Sequence, residues 1–315
     1  MSVLDHTETA TAADGDGVPT IGPEPGAVAS SDDRTYARKR LGLFFWLSVG
    51  WLILLVLSAV FADLLPLKDP NTTFAGVSRT GPSAAHWFGA DNIGHDVFSR
   101  TIFGARRSLA VATVATALGL VIGAAVGLVA GYYRRSLDSV IVAVLNVMLA
   151  IPGLVLLLAL ISFLAPPGEA SATRQTVWAT IALAILTVPT IARVTRAQTM
   201  AWADRDFVLA SRTLGARNKR IIGRDILPNI VSALVSYAFV LLAVLIIIEA
   251  TLAFFGIGDV SGVSWGLMIQ NGRSQLETAP HMVLFPATFM FLTILALNSV
   301  GDALRNRFDV REGAI

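Results

Sequence analysis

The sequence has no cysteine and few charged residues, and both absences limit what the chain can be. Without cysteine, disulfide bonds and thiolate metal sites are excluded. Charged residues make up 15% of the 315 positions and hydrophobic residues 54%, whereas a soluble domain has roughly 25% charged residues. The composition therefore predicts a membrane protein. Its net charge of +2 gives no indication of nucleic-acid binding, and we expect none.

Two sequence motifs are also missing. No GxxxxGK[ST] string occurs, so the chain lacks the loop with which many proteins bind ATP phosphates. Residues 1–40 lack the short apolar segment beside a cleavage site that a signal peptide needs. They are acidic and rich in Pro, Gly, Ala and Ser before a basic end. Because such an arm cannot bury enough apolar surface to order itself, we expect a disordered cytoplasmic tail.

Six apolar runs follow, each near the roughly 20 residues that a helix needs to cross a bilayer. They predict an all-α membrane protein with six transmembrane helices. The predicted spans are about 41–62, 108–131, 139–164, 176–195, 230–255 and 282–303.

The distribution of basic residues predicts the orientation of these spans. With the N-terminus in the cytoplasm, 17 of the 24 lysines and arginines fall on the cytoplasmic side, in agreement with the positive-inside rule. The first outer loop, of roughly 45 residues, contains most of the exceptions, and the rule is weakest for long loops. Those exceptions are Lys68, Arg79, Arg100, Arg106 and Arg107. We therefore expect both termini in the cytoplasm.

A charged interruption at 201–229 separates the fourth and fifth runs. Its stretch from 204 to 214 starts with acidic residues, which favour the positive end of a helix dipole. Apolar residues then recur at helical spacing, at Phe207, Ala210 and Leu214. The pattern predicts a short amphipathic helix.

Gly215 follows this helix and is predicted to end it, because glycine readily adopts the left-handed conformation. A second helical stretch is basic, and we expect it to end at Pro228, because proline pushes its predecessor out of helical geometry. Its basic residues are Arg217, Lys219, Arg220 and Arg224. The segment is thus predicted to be a helix, a glycine corner and a helix.

This segment resembles the cytoplasmic coupling loop of ABC-importer permeases. The pattern of that loop is Glu-Ala-Ala, three residues, Gly, nine residues, an apolar residue, any residue and Leu-Pro. Leu209 stands in place of the glutamate and Asp225 in place of the apolar residue, with the spacing intact. A basic loop held at the membrane surface by charge alone is the alternative. The residues that match are Ala210, Ser211, Gly215, Leu227 and Pro228.

The first outer loop carries a second resemblance, to the C-type permeases of dipeptide and oligopeptide importers. Their patterns, H-x-x-G-T-D-x-x-G-R-D-V-x-S-R and G-x-R-x-S-L, are similar to residues 86–100 and 104–109. Ala90 stands in place of the threonine and His95 in place of the arginine. The signature residues kept are His86, Gly89, Asp91, Gly94, Asp96, Ser99 and Arg100.

Histidines close to aspartates in this loop also suggest a metal site. Its ligands would be His86, Asp91, His95 and Asp96. The aspartates are better explained as turn and cap residues beside Gly89 and Gly94. We therefore expect no metal site.

Glycine recurs at every fourth position in the second run, at Gly119, Gly123, Gly127 and Gly131. Glycines on one face let two helices approach closely in lipid. Internal packing, a dimerising face and a pore-lining face all fit this pattern. In the third and fourth runs, Pro152 and Pro189 remove backbone hydrogen bonds, so kinks beside a translocation path are expected.

Glu249 is the acidic side chain well inside an apolar run. An ionisable group there is costly unless it faces protein or water, so it is a candidate for the transport path or its gating. A structural carboxylate bonded to neighbouring helices is the alternative.

Two short strings match motifs of enzymes without their context. Residues 256–259 match the GxGD of intramembrane aspartyl proteases, yet no preceding apolar run holds a partner aspartate. Residues 262–266 match GxSxG, which needs a strand-to-helix turn and triad partners. Residues 253–272 instead resemble the segment after the fifth helix of the importer family, and Asn298 and Asp302 match the family's N-x-x-G-D-x-L-R ending.

Together these signatures resemble a C-type permease subunit of a binding-protein-dependent ABC importer. The resemblance implies the type I importer permease (MetI-like) fold with cytoplasmic coupling helices. Its parts would be an arm at 1–40, a first helix and outer loop at 41–107, a core at 108–304 that includes the coupling loop 201–229, and a tail at 305–315. Contact with the ATPase would involve Phe207, Ala210, Ser211, Leu214, Gly215, Ala216, Arg217, Arg220, Leu227 and Pro228.

The function implied is non-catalytic import of di- or oligopeptides across a bacterial cell membrane by alternating access. This chain would bind no cofactor, and ATP and Mg would belong to one or two separate ATP-binding subunits. The other implied partners are a B-type permease in a heterodimer, an extracytoplasmic solute-binding protein and the lipid bilayer. Nickel, glutathione and haem travel through related systems and stay open as substrates. A secondary transporter or channel is the alternative from another class, and it would need ion-coupling groups that the helices, beyond Glu249, almost lack.

Overall fold

The computed structural model describes residues 42–164, 172–257 and 262–312. Within these ranges the regular structure is helical apart from one isolated bridge between Ala90 and Asp96. The predicted disordered arm, residues 1–40, lies outside the described residues. The α-helices are α1 Leu43–Val60, α2 Val97–Tyr133, α3 Arg135–Ala150, α4 Gly153–Leu164, α5 Ala172–Ala203, α6 Asp206–Thr213, α7 Asn218–Arg220, α8 Leu227–Phe254, α9 Trp265–Gly272 and α10 His281–Glu312.

Among the described residues, five helical segments are long and apolar enough to span a membrane. They are α1, α2, α5, α10 and the continuous segment Asn218–Phe254. The third predicted run differs, because α3 and α4 meet at a bend of 95° and count as a sixth span only if taken as one. Ile151 is extended, as expected for the residue before Pro152. The predicted kink is thus a full break, whereas Pro189 lies inside α5 without interrupting it.

Two spans extend beyond their apolar runs. α2 starts at Val97, well before the predicted start at 108, because the Asp96 side chain caps it by accepting from the Ser99 N–H at 2.9 Å. α5 continues to Ala203, past the predicted end at 195. Hydropathy identifies the apolar part of a helix that can lie in the bilayer, but it does not identify polar turns that extend the helix beyond it.

The glycine stripe of α2 packs against α5 within the same chain. A Cβ on Gly123 would lie 2.7 Å from Ile191 Cβ, and one on Gly127 would lie 2.5 Å from the Ala192 carbonyl. Real side chains do not come so close, so glycine is needed for the two backbones to approach. Of the three interpretations left open by the sequence, internal packing is the one observed.

The second helical stretch does not end at Pro228, so that prediction is wrong. α7 leads through a π-helical turn, Ile221–Ile226, directly into α8. The Leu227 N–H donates to the Ile222 carbonyl, five residues earlier. The wider π turn leaves room for a proline ring that would otherwise clash with the preceding turn. Between α6 and α8 the chain therefore turns at Gly215 and not at Pro228.

The helices bury two apolar clusters. The larger one holds the middle of the bundle together and includes Leu55, Leu183, Ile246 and Trp265. The smaller one lies where α2, α5 and α8 meet residues 201–229. Its buried members are Leu128, Tyr132, Ala203, Val208, Ile221, Ile226, Ile230 and Leu234.

Candidate functional site

Residues 201–229, the corner segment, begin at the end of α5 and continue into α6. Asp206 lies in the first turn of α6 and Arg212 in its last, where each charge complements the helix dipole. α6 buries Val208, which belongs to the smaller apolar cluster together with Tyr132 of α2. This contact fixes the helix to the bundle by one side.

Phe207 and Ala210, which are predicted to contact the ATPase, lie on the exposed side of α6, and Leu214, predicted to do the same, is its C-cap. Phe207 is 44% exposed and Leu214 is 87% exposed, and Ala210 is exposed as well. Leu209, which stands where the family pattern has glutamate, is also exposed. Phe207, Ala210 and Leu214 follow one another at spacings of three and four residues, which places them on one side of this segment.

The corner at Gly215 is a Schellman motif. Its φ angle is +77°, the left-handed value predicted from the sequence. The Ala216 N–H donates to the Ser211 carbonyl at 3.0 Å, and the Gly215 N–H donates to the Arg212 carbonyl at 3.0 Å. Both bonds satisfy carbonyls that the end of a helix leaves unpaired. The direction of the chain after α6 is therefore fixed by backbone hydrogen bonds.

The remaining predicted residues of the corner segment divide into two groups. Arg217, Arg220 and Pro228 are exposed, and they follow the corner along the helical stretch. Leu227 is half-buried and packs on the smaller apolar cluster. The structure therefore brings Leu227 into the contact that holds the segment, rather than onto the exposed face of α6.

Residues 86–100, the signature region, bond mainly to themselves and to neighbouring parts of the chain. Asp96 Oδ1 lies 2.8 Å from His86 Nδ1, while Asp96 Oδ2 accepts from the Ser99 N–H. Lys68 Nζ lies 3.2 Å from His86 Nδ1 and also donates to the Ala85 carbonyl. Both His86 and Asp96 are buried.

A second group surrounds Asp91. Its Oδ1 accepts from the backbone N–H of Ile93 at 3.0 Å and of His95 at 2.8 Å, and its Oδ2 lies 2.8 Å from His95 Nδ1. Arg100 Nη1 lies 2.5 Å from the same His95 nitrogen and donates to the Pro70 carbonyl at 3.2 Å. Asp91 therefore stabilises a turn, and Arg100 fixes that turn to the start of the loop.

Two glycines let the signature region fold this closely. Gly89 and Gly94 have φ angles of +78° and +92°. A Cβ on Gly94 would lie 2.5 Å from the Phe74 carbonyl, and one on Gly89 would meet the ring of His281 on α10 at 2.8 Å. The His281 Nε2 also lies 3.1 Å from the Ala90 carbonyl. The signature region is thus packed onto the start of α10.

The four residues considered as metal ligands fall into two separate pairs, His86 with Asp96 and His95 with Asp91. Across residues 42–164, 172–257 and 262–312, no three or more His, Cys, Asp or Glu side chains come together as a metal site would require. The aspartates act as cap and turn residues, as predicted.

Glu249 on α8 is 9% exposed and is bonded to α2. The Ser108 hydroxyl donates to its Oε2 at 3.0 Å. Glu249 also lines a small cavity of about 30 Å³ together with Arg107 and Thr176. Arg107 Nη2 in turn donates to the Thr176 hydroxyl at 2.9 Å. The carboxylate is therefore tied to a neighbouring helix and lies beside a cavity.

The serine of the GxSxG string serves as a helix cap. The Ser264 hydroxyl accepts from the Leu267 N–H at 3.4 Å at the start of α9, and the side chain is buried. The next residue, Trp265, donates its indole N–H to the Thr101 carbonyl at 2.9 Å. In the GxGD string, residues 258 and 259 lie outside the described residues.

Sequence reasoning missed Ser108 and Tyr132 as residues of these sites. Ser108 is the serine of the G-x-R-x-S-L pattern, so a signal was present. Tyr132 donates its hydroxyl to Asn218 Oδ1 at 2.9 Å. From the sequence, an aromatic residue at the end of an apolar run indicates only an interfacial anchor.

Residues 123–312 match the family of binding-protein-dependent transport system inner membrane components. The dipeptide transport system permease protein DppC of Alkalihalophilus pseudofirmus is 34% identical over 300 residues, which cover 92% of this chain and 96% of that protein. The glutathione transport system permease protein GsiD of Pectobacterium atrosepticum is 34% identical over 279 residues, covering 88% and 90%. GsiD of Escherichia coli is 37% identical over 261 residues, covering 82% and 84%.

Solved structures agree on the fold. A chain of the inward-facing MetNI methionine ABC transporter has a TM-score of 0.54 at 22% identity and covers 67% of this chain and 97% of its own length. A chain of an amino acid ABC transporter with histidines has a TM-score of 0.51 at 19% identity, covering 67% and 94%. The chain has the all-α membrane fold of type I ABC importer permeases. It belongs to the family of binding-protein-dependent transport system inner membrane components.

Proposed function

We propose that this chain is the C-type permease subunit of an ATP-driven importer for di- or oligopeptides. The relatives named above include a dipeptide permease and glutathione permeases. Glutathione is a tripeptide, so short peptides are the substrate class that these relatives share. In this proposal the chain forms the translocation path with a B-type permease, and a solute-binding protein delivers the peptide from outside.

The energy for transport comes from separate subunits. ATP and Mg²⁺ bind to one or two ATP-binding chains, since this chain has no GxxxxGK[ST] string. The permease itself catalyses no hydrolysis and needs no cofactor. Its N- and C-termini and the corner segment lie in the cytoplasm, where the ATP-binding subunits can meet them.

The exposed apolar face of α6 beside a rigid corner is the observation that carries this proposal. Phe207, Ala210 and Leu214 remain exposed while Val208 fixes the helix from the other side. An amphipathic helix presented in this way fits a groove on a partner protein. Exposed Arg217 follows the corner and supplies charge for orientation.

A second part of the proposal concerns Glu249. It is the buried carboxylate that lines the cavity shared by α2, α5 and α8. Ionisable groups within membrane spans are rare and mark pathways for ions or substrates. We assign it to the transport path or its gating.

The experiment that tests the coupling role changes Gly215. A valine there must hold φ near +77°, which costs about 1–2 kcal/mol for a residue with a Cβ. Apart from the adjoining residues 214 and 216, no described residue comes within 4 Å of the added Cβ, so the strain comes from the backbone conformation. Asparagine tolerates the left-handed conformation and is the matched control.

We expect Gly215→Val to misdirect α6 without changing membrane insertion. Stimulation of ATP hydrolysis by the substrate-loaded solute-binding protein should fall roughly tenfold, as a cost near 1.4 kcal/mol implies. Gly215→Asn should keep most of the stimulation. The measurement is the ATPase activity of the reconstituted complex with and without loaded binding protein. If Gly215→Val kept the unmutated level of stimulation, the proposed coupling role of the corner segment would be wrong.

A further inference from the structure

We infer that the C-terminal end of α2 is a clamp on the corner segment, with Tyr132 as its central positioning residue. The clamp holds the chain on both sides of Gly215 and connects its movement to the spans. This inference rests on the proposed coupling function, because it states how a displacement of α6 would reach the transport path.

Tyr132 contacts both arms of the corner with one side chain. Its hydroxyl donates to Asn218 Oδ1 at 2.9 Å, just after the corner. The guanidinium of Arg212, in the last turn of α6, lies 5.1 Å from the centre of its ring. The residue is only 8% exposed, so the surrounding cluster holds it in one position. A cation over an aromatic face and a hydrogen bond from the same ring together resist separation of the two arms.

Arg134 holds the start of the corner segment. Its Nη2 lies 2.8 Å from each carboxylate oxygen of Asp204 and donates to the Met200 carbonyl at 3.3 Å. Because this ion pair is well exposed, it contributes less than the contacts of Tyr132. Arg134 and Arg135 have φ angles of +52° and +56°. Non-glycine residues adopt such angles only where surrounding contacts hold them, and they cluster at functional sites.

The clamp lies next to a close contact between α2 and α5. Gly131 immediately precedes Tyr132, and a Cβ there would lie 2.7 Å from the Arg196 carbonyl of α5. A displacement of Tyr132 would therefore move α2 and α5 together, because two helices whose backbones pack so closely cannot slide past each other without separating.

The same helix continues to the cavity. α2 is a single 37-residue helix, and Ser108 in its N-terminal third donates to Glu249. One continuous helix thus connects the corner segment, at its C-terminal end, with the buried carboxylate that its N-terminal third contacts. Movement of α6 would be transmitted as a tilt of α2, with Tyr132 as the point where the force is applied.

The variant that isolates the clamp is Tyr132→Phe. It keeps the buried ring and the contact with Arg212 and removes only the hydroxyl that bonds to Asn218. Asn218→Ala removes the partner of the same bond. Tyr133→Phe is the matched control, since Tyr133 is adjacent and half exposed.

We expect Tyr132→Phe and Asn218→Ala each to lower stimulation of ATP hydrolysis by loaded binding protein roughly two- to tenfold, the range for one hydrogen bond. The double variant should lose no more than either single one, because both remove one interaction. ATP-binding subunits should still copurify, and Tyr133→Phe should behave like the unmutated complex. Tyr132→Leu, which also removes the ring, should lose more.

Three results would overturn the clamp. They are stimulation at the unmutated level in Tyr132→Phe, additive losses in the double variant, and a fall in stimulation that is matched by lost copurification. Gly215→Val in the same assay separates this failure from that of the proposed function. If Gly215→Val loses stimulation while Tyr132→Phe keeps it, only the clamp is wrong; if Gly215→Val keeps it, the coupling role fails and the clamp with it.

Discussion

The signature region and the corner segment both carry family patterns, but the pattern residues are largely buried in the first and largely exposed in the second. In the signature region His86 and Asp96 are buried and bonded to each other. In the corner segment Phe207 is 44% exposed and Leu214 is 87% exposed. The side chains of the first pattern find their partners within the subunit, whereas those of the second leave apolar surface uncovered.

This difference indicates what each pattern is for. Buried ionisable groups are costly unless paired, so a set of residues that pairs internally serves the fold of the loop. Exposed apolar side chains gain nothing until a partner covers them, so in the function proposed above such residues serve an interface. Two motifs that look alike in a sequence can therefore differ in whether they stabilise the subunit or bind another.

The largest effect that tests this comparison is expected at Asp96. Asp96→Ala removes the cap of α2 and the carboxylate that pairs with buried His86, which should cost roughly 2–4 kcal/mol of unfolding free energy. Leu214→Ser should change stability by less than about 0.5 kcal/mol, because the side chain is exposed. Thermal unfolding of the purified permease complex measures both.

Asp63→Ala is the control for loss of a carboxylate, since the pair between Asp63 and Arg106 is largely exposed. It should be nearly neutral. Leu214→Ser should instead lower the stimulation of ATP hydrolysis by loaded binding protein. If Leu214→Ser destabilised the complex as much as Asp96→Ala, the two patterns would not differ in the way described.

Features that depend on neighbouring residues could be predicted from the sequence. The left-handed Gly215 and the turn and cap roles of Asp91 and Asp96 are each decided within a few residues, and the structure confirms them. The apolar runs could also be recognised, because a helix that crosses the bilayer needs predominantly apolar residues along its length.

Features that depend on distant residues could not be predicted. Ser108 bonds to Glu249 across 141 residues and Tyr132 to Asn218 across 86. The glycine stripe showed that some helix must approach closely but not that it would be α5. The prediction for Pro228 was wrong because the six-residue π turn Ile221–Ile226, packed against the bundle, removes the usual steric conflict.

Glu249 combines features of both regions. It is buried and hydrogen-bonded, like the residues of the signature region, but it also lines a cavity. Glu249→Gln keeps the shape and an acceptor for Ser108 and removes the charge. If the charge takes part in transport, peptide uptake should fall roughly tenfold, equivalent to about 1.4 kcal/mol, while the complex still assembles. Glu277→Gln, at an exposed position, is the control and should transport normally. Normal uptake in Glu249→Gln would mean that the residue serves packing only.

The smallest effect on transport is expected from cysteine substitutions that report which side of the membrane each region occupies. The chain has no cysteine, so a single introduced thiol reports without background. Ala84 and Lys219 are both exposed, next to the signature region and within the corner segment, so cysteine at either position should leave uptake nearly unchanged. In sealed cells, Ala84→Cys should react with a membrane-impermeant thiol reagent, whereas Lys219→Cys should react only after permeabilisation. Reaction of Lys219→Cys in sealed cells would put the exposed face of α6 on the side without ATP, where no ATP-binding subunit could cover it.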